Sequence, residues 1–145
     1  YNTKIINKED YDFKIGKAVE ILPGKDIAII GSGNILGNCL EAASILKKKK
    51  IDCSVINMHT IKPIDSDKIK ELADINKLII TVEEHNIIGG LGTSVAEVLS
   101  SEKTNCKLIR LGINDFYSSG GSYDYLKNIY GLSVEKIIGT ILSNI

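Results

Sequence analysis

The stretch from Lys77 to Val98, KLIITVEEHNIIGGLGTSVAEV, constrains the fold more than any other part of the chain. Leu78, Ile79, Ile80 and Val82 make a nearly continuous apolar run rich in β-branched residues. That is the pattern of a strand covered on both faces, as in a parallel sheet packed between helices. The run ends in charge, Glu83-Glu84-His85, and a glycine turn follows at Gly89-Gly90-Leu91-Gly92. Leu91, Val95, Val98 and Leu99 then recur at helical spacing, with the hydroxyls of Thr93 and Ser94 in the first turn. Glycines between strand and helix let backbone amides come close to a neighbour or an anion. A strand that delivers charged groups to the sheet edge beside such a turn builds the kind of rim where ligands or other domains dock.

The remaining chain repeats the alternation. Lys17–Leu22 is a short strand candidate closed by Pro23-Gly24. Only a few residues separate it from the next strand, Asp26–Gly31, so the two are expected to pair antiparallel, with the first at a sheet edge. A helix is expected over 35–50 on the stripe Leu36, Cys39, Leu40, Ala43, Ile45 and Leu46. Its end carries Lys47 to Lys50, the only basic run, where cations complement the carbonyl end of the dipole. Asp52–Met58 reads as the next core strand, and Asp65 or Ser66 caps a helix through Ala73. Beyond the central strand and helix come a strand over Cys106–Leu111, a polar loop over Tyr117–Ser122, and two short helices. These span 123–130, ended by Gly131, and 134–143, capped by Ser133.

Strands joined by helical crossovers give right-handed parallel connections. The expected fold class is therefore α/β: a three-layer α/β/α arrangement on a five-stranded, mostly parallel sheet with one antiparallel edge strand. Residues 1–16 are polar with little periodicity and are expected to be an interdomain linker of a longer polypeptide, with Tyr11, Phe13 and Ile15 alternating against a neighbouring surface. The α/β domain is expected over 17–145.

Eighteen basic and eighteen acidic residues cancel in 145, so no global field favours nucleic acid or an anionic membrane. Cys39, Cys53 and Cys106 are far apart and form no CxxC pair, which points to small core residues in a reducing compartment rather than a disulfide framework or a zinc site. No apolar run reaches the roughly twenty residues of a membrane span, and the expected setting is cytoplasmic.

Self-contained chemistry is not evident. Gly31-Ser32-Gly33-Asn34-Ile35-Leu36-Gly37 follows a strand and opens a helix, but its spacing is GxGxxxG. The second core strand ends Asn57-Met58-His59 with no carboxylate for a ribose hydroxyl, so a dinucleotide site is disfavoured. Glu83, Glu84 and His85, with His59 after the neighbouring strand, would make at most a minimal metal or acid–base set, because alternation lets only Glu83 and His85 share a face. There is no nucleophile elbow, P-loop or HExxH. No catalytic, cofactor-binding or metal-ligating residue is assigned; the candidate rim for an interface or an anion is Glu83, Glu84, His85, Gly89, Gly90 and Gly92. A phosphate- or nucleotide-binding regulatory module on the amides of that turn is the alternative of another class.

Several blocks in order resemble the C-terminal domain of the transketolase-like thiamine-diphosphate enzymes. They are Asp12-Phe13-Lys14-Ile15-Gly16-Lys17-Ala18, Gly24 to Ile30, Ile56-Asn57-Met58-His59-Thr60-Ile61-Lys62-Pro63-Ile64-Asp65, Thr81-Val82-Glu83-Glu84-His85 with Gly89-Gly90-Leu91-Gly92, and Tyr130-Gly131-Leu132. The pattern is most similar to the C-terminal subunit of two-subunit bacterial and archaeal transketolases. In the resemblance, His85 after the paired glutamates sets the chain apart from deoxyxylulose-phosphate synthase, where Asn usually follows them, and from 2-oxoacid dehydrogenase β subunits, which tend to carry Glu-Glu-Gly. Those two families remain the alternatives. Tyr117-Ser118-Ser119-Gly120 departs from the family by lacking an acidic residue before the serine–glycine pair.

The resemblance implies transfer of a two-carbon ketol unit between sugar phosphates by an enzyme using thiamine diphosphate and a divalent cation, Mg. It places both on a diphosphate-binding domain or subunit and a preceding pyrimidine-binding domain, in a homodimer. This domain would contribute dimerisation and support of the active site and be inactive alone.

Overall fold

The computed structural model describes residues 5–6, 11 and 13–145. Five strands form one sheet in the order β1-β3-β2-β4-β5, with β1 at Val19–Leu22, β2 at Ile27–Gly31, β3 at Cys53–Asn57, β4 at Leu78–Asn86 and β5 at Lys107–Ile113. β2, β3, β4 and β5 run parallel, and β1 is antiparallel on the edge. The helices are α1 (Leu36–Lys48), entered through a 3-10 turn at Gly33–Ile35, α2 (Ser66–Ile75), α3 (Leu91–Ser100), α4 (Tyr123–Ile129) and α5 (Val134–Leu142).

The expected antiparallel edge strand is present, but its partner is not the one expected. β1 pairs with β3, Val19 opposite Asn57, and not with β2. The short connection steps across the start of β3 instead of turning a hairpin. Lys25 N and Asp26 N both donate to Asp52 O at 3.2 and 2.9 Å, and Asp52 N donates to Asp26 Oδ2 at 2.7 Å. Gly24 makes the crossing possible, since any Cβ there would overlap the Cys53–Ser54 backbone.

Alternation along the strands divides the core. Ile27, Ile29, Val55, Leu78, Ile80 and Val82 face α1 and α5, while Ala28, Ile30, Ile56 and Ile79 face α2 and α3. Each fully buried isoleucine contributes on the order of 2 kcal/mol by leaving water, and both faces of β2, β3 and the first part of β4 are covered. Cys39 and Cys53 are buried and free, as expected of small core residues, and burial pushes both thiols up to about 12.

Helix ends follow local chemistry. Asp65 Oδ1 accepts from Lys68 N at 3.2 Å at the start of α2, and Ser122 and Ser133 cap α4 and α5. α1 stops at Lys48, short of the expected Lys50, because Lys50 turns left-handed at φ 64°. Asp65 also reaches the incoming chain: its Oδ2 accepts from Ala18 N at 2.8 Å, and Lys17 Nζ lies 3.4 Å from Oδ1. Of the expected linker, residues 1–4, 7–10 and 12 lie outside the described residues. Ile6 packs on the α1 face of the core, and Tyr11 and Phe13 turn their rings to His59, the Phe13 ring at 4.4 Å.

No helix among the described residues is long and apolar enough to cross a membrane.

Candidate functional site

The chain leaves β2 for α1 on one face of the sheet and leaves β4 for α3 on the other. Adjacent strands whose connections diverge open a crevice at their carboxyl ends. Here the crevice is a cleft of about 370 Å³ walled by Ser32 and Gly33 after β2, Glu83, Glu84 and His85 at the end of β4, and Gly89 and Gly90. The rim residues expected from sequence are thus brought together, with Gly92 in the first turn of the helix behind them.

Their roles differ. The β4–β5 ladder loses its regular register between Val82 and Asn86, so the end of β4 departs from plain alternation. Glu83, 2 % exposed, turns inward to the start of α3. Its Oε2 accepts from Leu91 N at 2.7 Å and its Oε1 from Gly92 N at 2.8 Å. A carboxylate at a helix N-terminus satisfies orphan amides and meets the positive end of the dipole. Space for it comes from two glycines: a Cβ on Gly90 would overlap Glu83 Oε2, and one on Gly112 would approach Glu83 Cγ at 3.0 Å and His85 O at 2.9 Å. Glu84 and His85 are exposed on the cleft wall, His85 Nδ1 lying 3.0 Å from Asn86 O. Glu83 and His85 therefore share the cleft, but one is buried and the other meets solvent.

The turn is held from several sides. Asn86 Nδ2 donates to Asp115 Oδ1 at 3.2 Å, and Asn86 Oδ1 accepts from Ile88 N at 2.8 Å. Thr93 Oγ1 donates to Ile87 O at 2.8 Å and accepts from Gly89 N at 3.0 Å. Arg110, across on β5, reaches Ile87 O and Thr93 Oγ1 with Nη1 at 3.2 and 3.3 Å. Gly89 takes φ 79°, the left-handed turn glycine allows. The hydroxyls of Thr93 and Ser94 are turned back onto this loop rather than outward.

This geometry weakens the anion-binding alternative. The amides of Leu91 and Gly92, which a phosphate would use, already hold the chain's own carboxylate. His59 is drawn elsewhere: its Nδ1 lies 2.9 Å from Thr60 Oγ1 and its ring stacks on Phe13. Among the described residues no group of three or more His, Cys, Asp and Glu side chains is placed to hold a metal ion. The loop after β5 is tied down as well, with Ser119 N donating to the Tyr130 hydroxyl at 2.7 Å and Phe116 packed on the Tyr130 ring.

Asn86, Arg110 and Gly112 were not singled out from sequence. Asn86, a turn-forming residue next to the acidic cluster, was the one carrying a readable signal. Arg110 and Gly112 lie on β5 and meet the rim only through the sheet.

Known proteins resemble this chain in sequence and fold. Residues 16–137 match the family described as transketolase, C-terminal domain. A Methanocaldococcus jannaschii protein, provisionally named a transketolase C-terminal section, is 43% identical over 97% of this chain and 44% of its own length. A 1-deoxy-D-xylulose-5-phosphate synthase of Desulfitobacterium hafniense is 39% identical over 92% of this chain and 21% of its own. A solved structure described as a split gene transketolase, in an inactive beta4 tetramer, superposes with TM-score 0.89 at 33% identity, covering 97% of this chain and 46% of that one. The chain thus spans less than half the length of these relatives. With one family profile matched over most of its length and the same five-stranded sheet behind the rim, the chain belongs to the transketolase C-terminal domain family.

Proposed function

We propose that the chain is the C-terminal supporting domain of a thiamine-diphosphate-dependent transketolase, an enzyme that moves a two-carbon ketol unit from a ketose phosphate to an aldose phosphate. In this reading it supplies assembly contacts and the outer wall of the active site, in a cytoplasmic homodimer. The reacting carbon is held by the pyrimidine-binding and diphosphate-binding domains, which lie in polypeptide outside this chain. Family membership and the sub-half coverage of the relatives support that division.

The observation that carries it is the use Glu83 makes of α3. A helix start that faces a cleft would ordinarily be available to a ligand phosphate, yet here it is closed by an internal carboxylate. The rim is built to be rigid, and a rigid edge suits docking and positioning of neighbouring polypeptide. Thiamine diphosphate, when bound, supplies the carbanion chemistry of such an enzyme. The residues here do not fit a diphosphate and its cation, since the turn amides are engaged and no ligand cluster converges among the described residues. No reaction step is therefore assigned to this chain.

The test is calorimetric titration of the chain with thiamine diphosphate and Mg, joined to an assay of two-carbon transfer. The expected result is no saturable binding and no turnover by the chain alone, with turnover on assembly with polypeptide bearing the two cofactor-binding domains. Saturable cofactor binding by these 145 residues would overturn the division of labour.

A further inference from the structure

The chain enters the domain along the loop between β3 and α2. Phe13 lies on the His59 ring at 4.4 Å, with Tyr11 edge-on to both rings. Lys14 O accepts from Lys17 N at 3.1 Å, closing a turn that Gly16 completes at φ 78°. That turn rests on Pro63, since a Cβ on Gly16 would stand 3.1 Å from Pro63 Cγ. Ala18 N and Lys17 Nζ then reach Asp65, and Lys17 Nζ also meets Asp67 Oδ2 at 3.1 Å. Segment 13–18 therefore touches the loop at its first residue, its middle and its last. The loop has few other ties: among the described residues no backbone–backbone hydrogen bond holds 59–63, and the contact of His59 Nδ1 with Thr60 Oγ1 is internal to it. His59 Nε2 is closed off from water with no partner among the described residues, so stacking holds that side of the ring. The same loop presents Ile61 to the cleft of the rim.

We propose that segment 13–18 is a strap that sets the cleft wall: its hold on His59, Pro63 and Asp65 fixes the loop, and the loop fixes Ile61. Polypeptide arriving at the domain is thereby coupled to the shape of the rim, with His59 a positioning residue that acts through the loop. A flexible tether would swing free of the domain instead of lying on one loop from end to end. The coupling goes beyond the supporting role proposed above and does not depend on ketol transfer, because it is read on the chain alone.

Amide hydrogen exchange and isoleucine-methyl NMR of the 145-residue chain test it together. Phe13→Ala is expected to speed exchange of the Lys17 and Ala18 amides about tenfold, the scale of one lost aromatic contact, and to shift the Ile61 methyl resonance. The amide and methyl of Ile79, buried near the start of β4, should stay as they are. A second pair of variants reads the other ring. His59→Phe keeps a ring to stack and gives up the unpartnered nitrogen and the local bond to Thr60, so it should preserve both signals, whereas His59→Ala should reproduce Phe13→Ala. Unchanged exchange at Lys17 and Ala18, or acceleration shared equally by Ile79, would overturn the strap. Faster exchange with the Ile61 resonance in place would overturn the coupling. A His59→Phe chain that behaves like His59→Ala would overturn the positioning role given to stacking.

Discussion

Glu83 and Gly92 lie nine positions apart and are joined by a 2.8 Å hydrogen bond from the Gly92 amide to the Glu83 carboxylate, buried between the end of β4 and the start of α3. The bond and its companion from Leu91 tie a strand end to a helix start through one side chain. The edge of the cleft is thereby fastened to both elements.

Glu83→Ala strands two buried amides and should cost about 2–4 kcal/mol. Glu83→Gln, which keeps one acceptor oxygen, should cost less. Urea melts of the two variants check the order, and equal losses would show that bulk rather than the carboxylate matters.

Gly90 and Gly89 should respond to alanine for different reasons. At Gly90 the new Cβ overlaps Glu83 Oε2, so the cap must break and the loss should approach that of Glu83→Ala. At Gly89 nothing lies within 4 Å, and the cost is the left-handed backbone alone, about 1 kcal/mol. Melting curves that rank Gly89→Ala as the worse variant would refute the clash.

Asp65 links stability to pH. Burial opposes its charge, but the Ala18 and Lys68 amides and the Lys17 ammonium outweigh that and hold its carboxyl below the ordinary value. The unfolded chain therefore takes up the proton first as pH falls. The contribution of Asp65 is complete above the unfolded value of about 4 and disappears as pH falls through the depressed native value. Unfolding free energies between neutral pH and the carboxylate range should fall more steeply for the wild-type chain than for Asp65→Asn; parallel curves would remove Asp65 as the linked group.

His85→Ala should leave the fold intact, since the ring is exposed and its one described hydrogen bond is local, to Asn86 O. Under the proposed supporting role, the change should lower the activity or association of the assembled enzyme modestly. A loss of activity on the scale of removing a catalytic group would place His85 at the chemistry instead of at the rim.

Thiol titration of the native chain should find one slowly reacting group, Cys106. Its thiol is only half-buried and is raised by that burial, while Cys39 and Cys53 are closed off. Stoichiometric fast labelling of all three would mean the core opens readily.

Much of this fold can be read along the chain because its causes are local. Apolar β-branched runs such as Leu78–Ile80, the caps Asp65 and Ser133, and the glycines after β4 act within a few residues of themselves. The antiparallel character of β1 was legible for the same reason, whereas its partner was not. Connection length limits direction, but the choice of β3 over β2 turned on Gly24 packing against the Cys53–Ser54 backbone, a contact between distant segments.

The rim divides along the same line. From composition and order alone the chain determined that Glu83, Glu84 and His85 would stand at the end of a buried strand beside a glycine turn. Only the tertiary structure decided that Glu83 spends its charge on the Leu91 and Gly92 amides while His85 faces outward, and that Arg110 and Gly112 of β5 belong to the same edge. Residue type and spacing specify which groups are available. Where a carboxylate finds its partners depends on the register shift after Val82 and on the empty volume at Gly90 and Gly112, which exist only once the strands lie side by side.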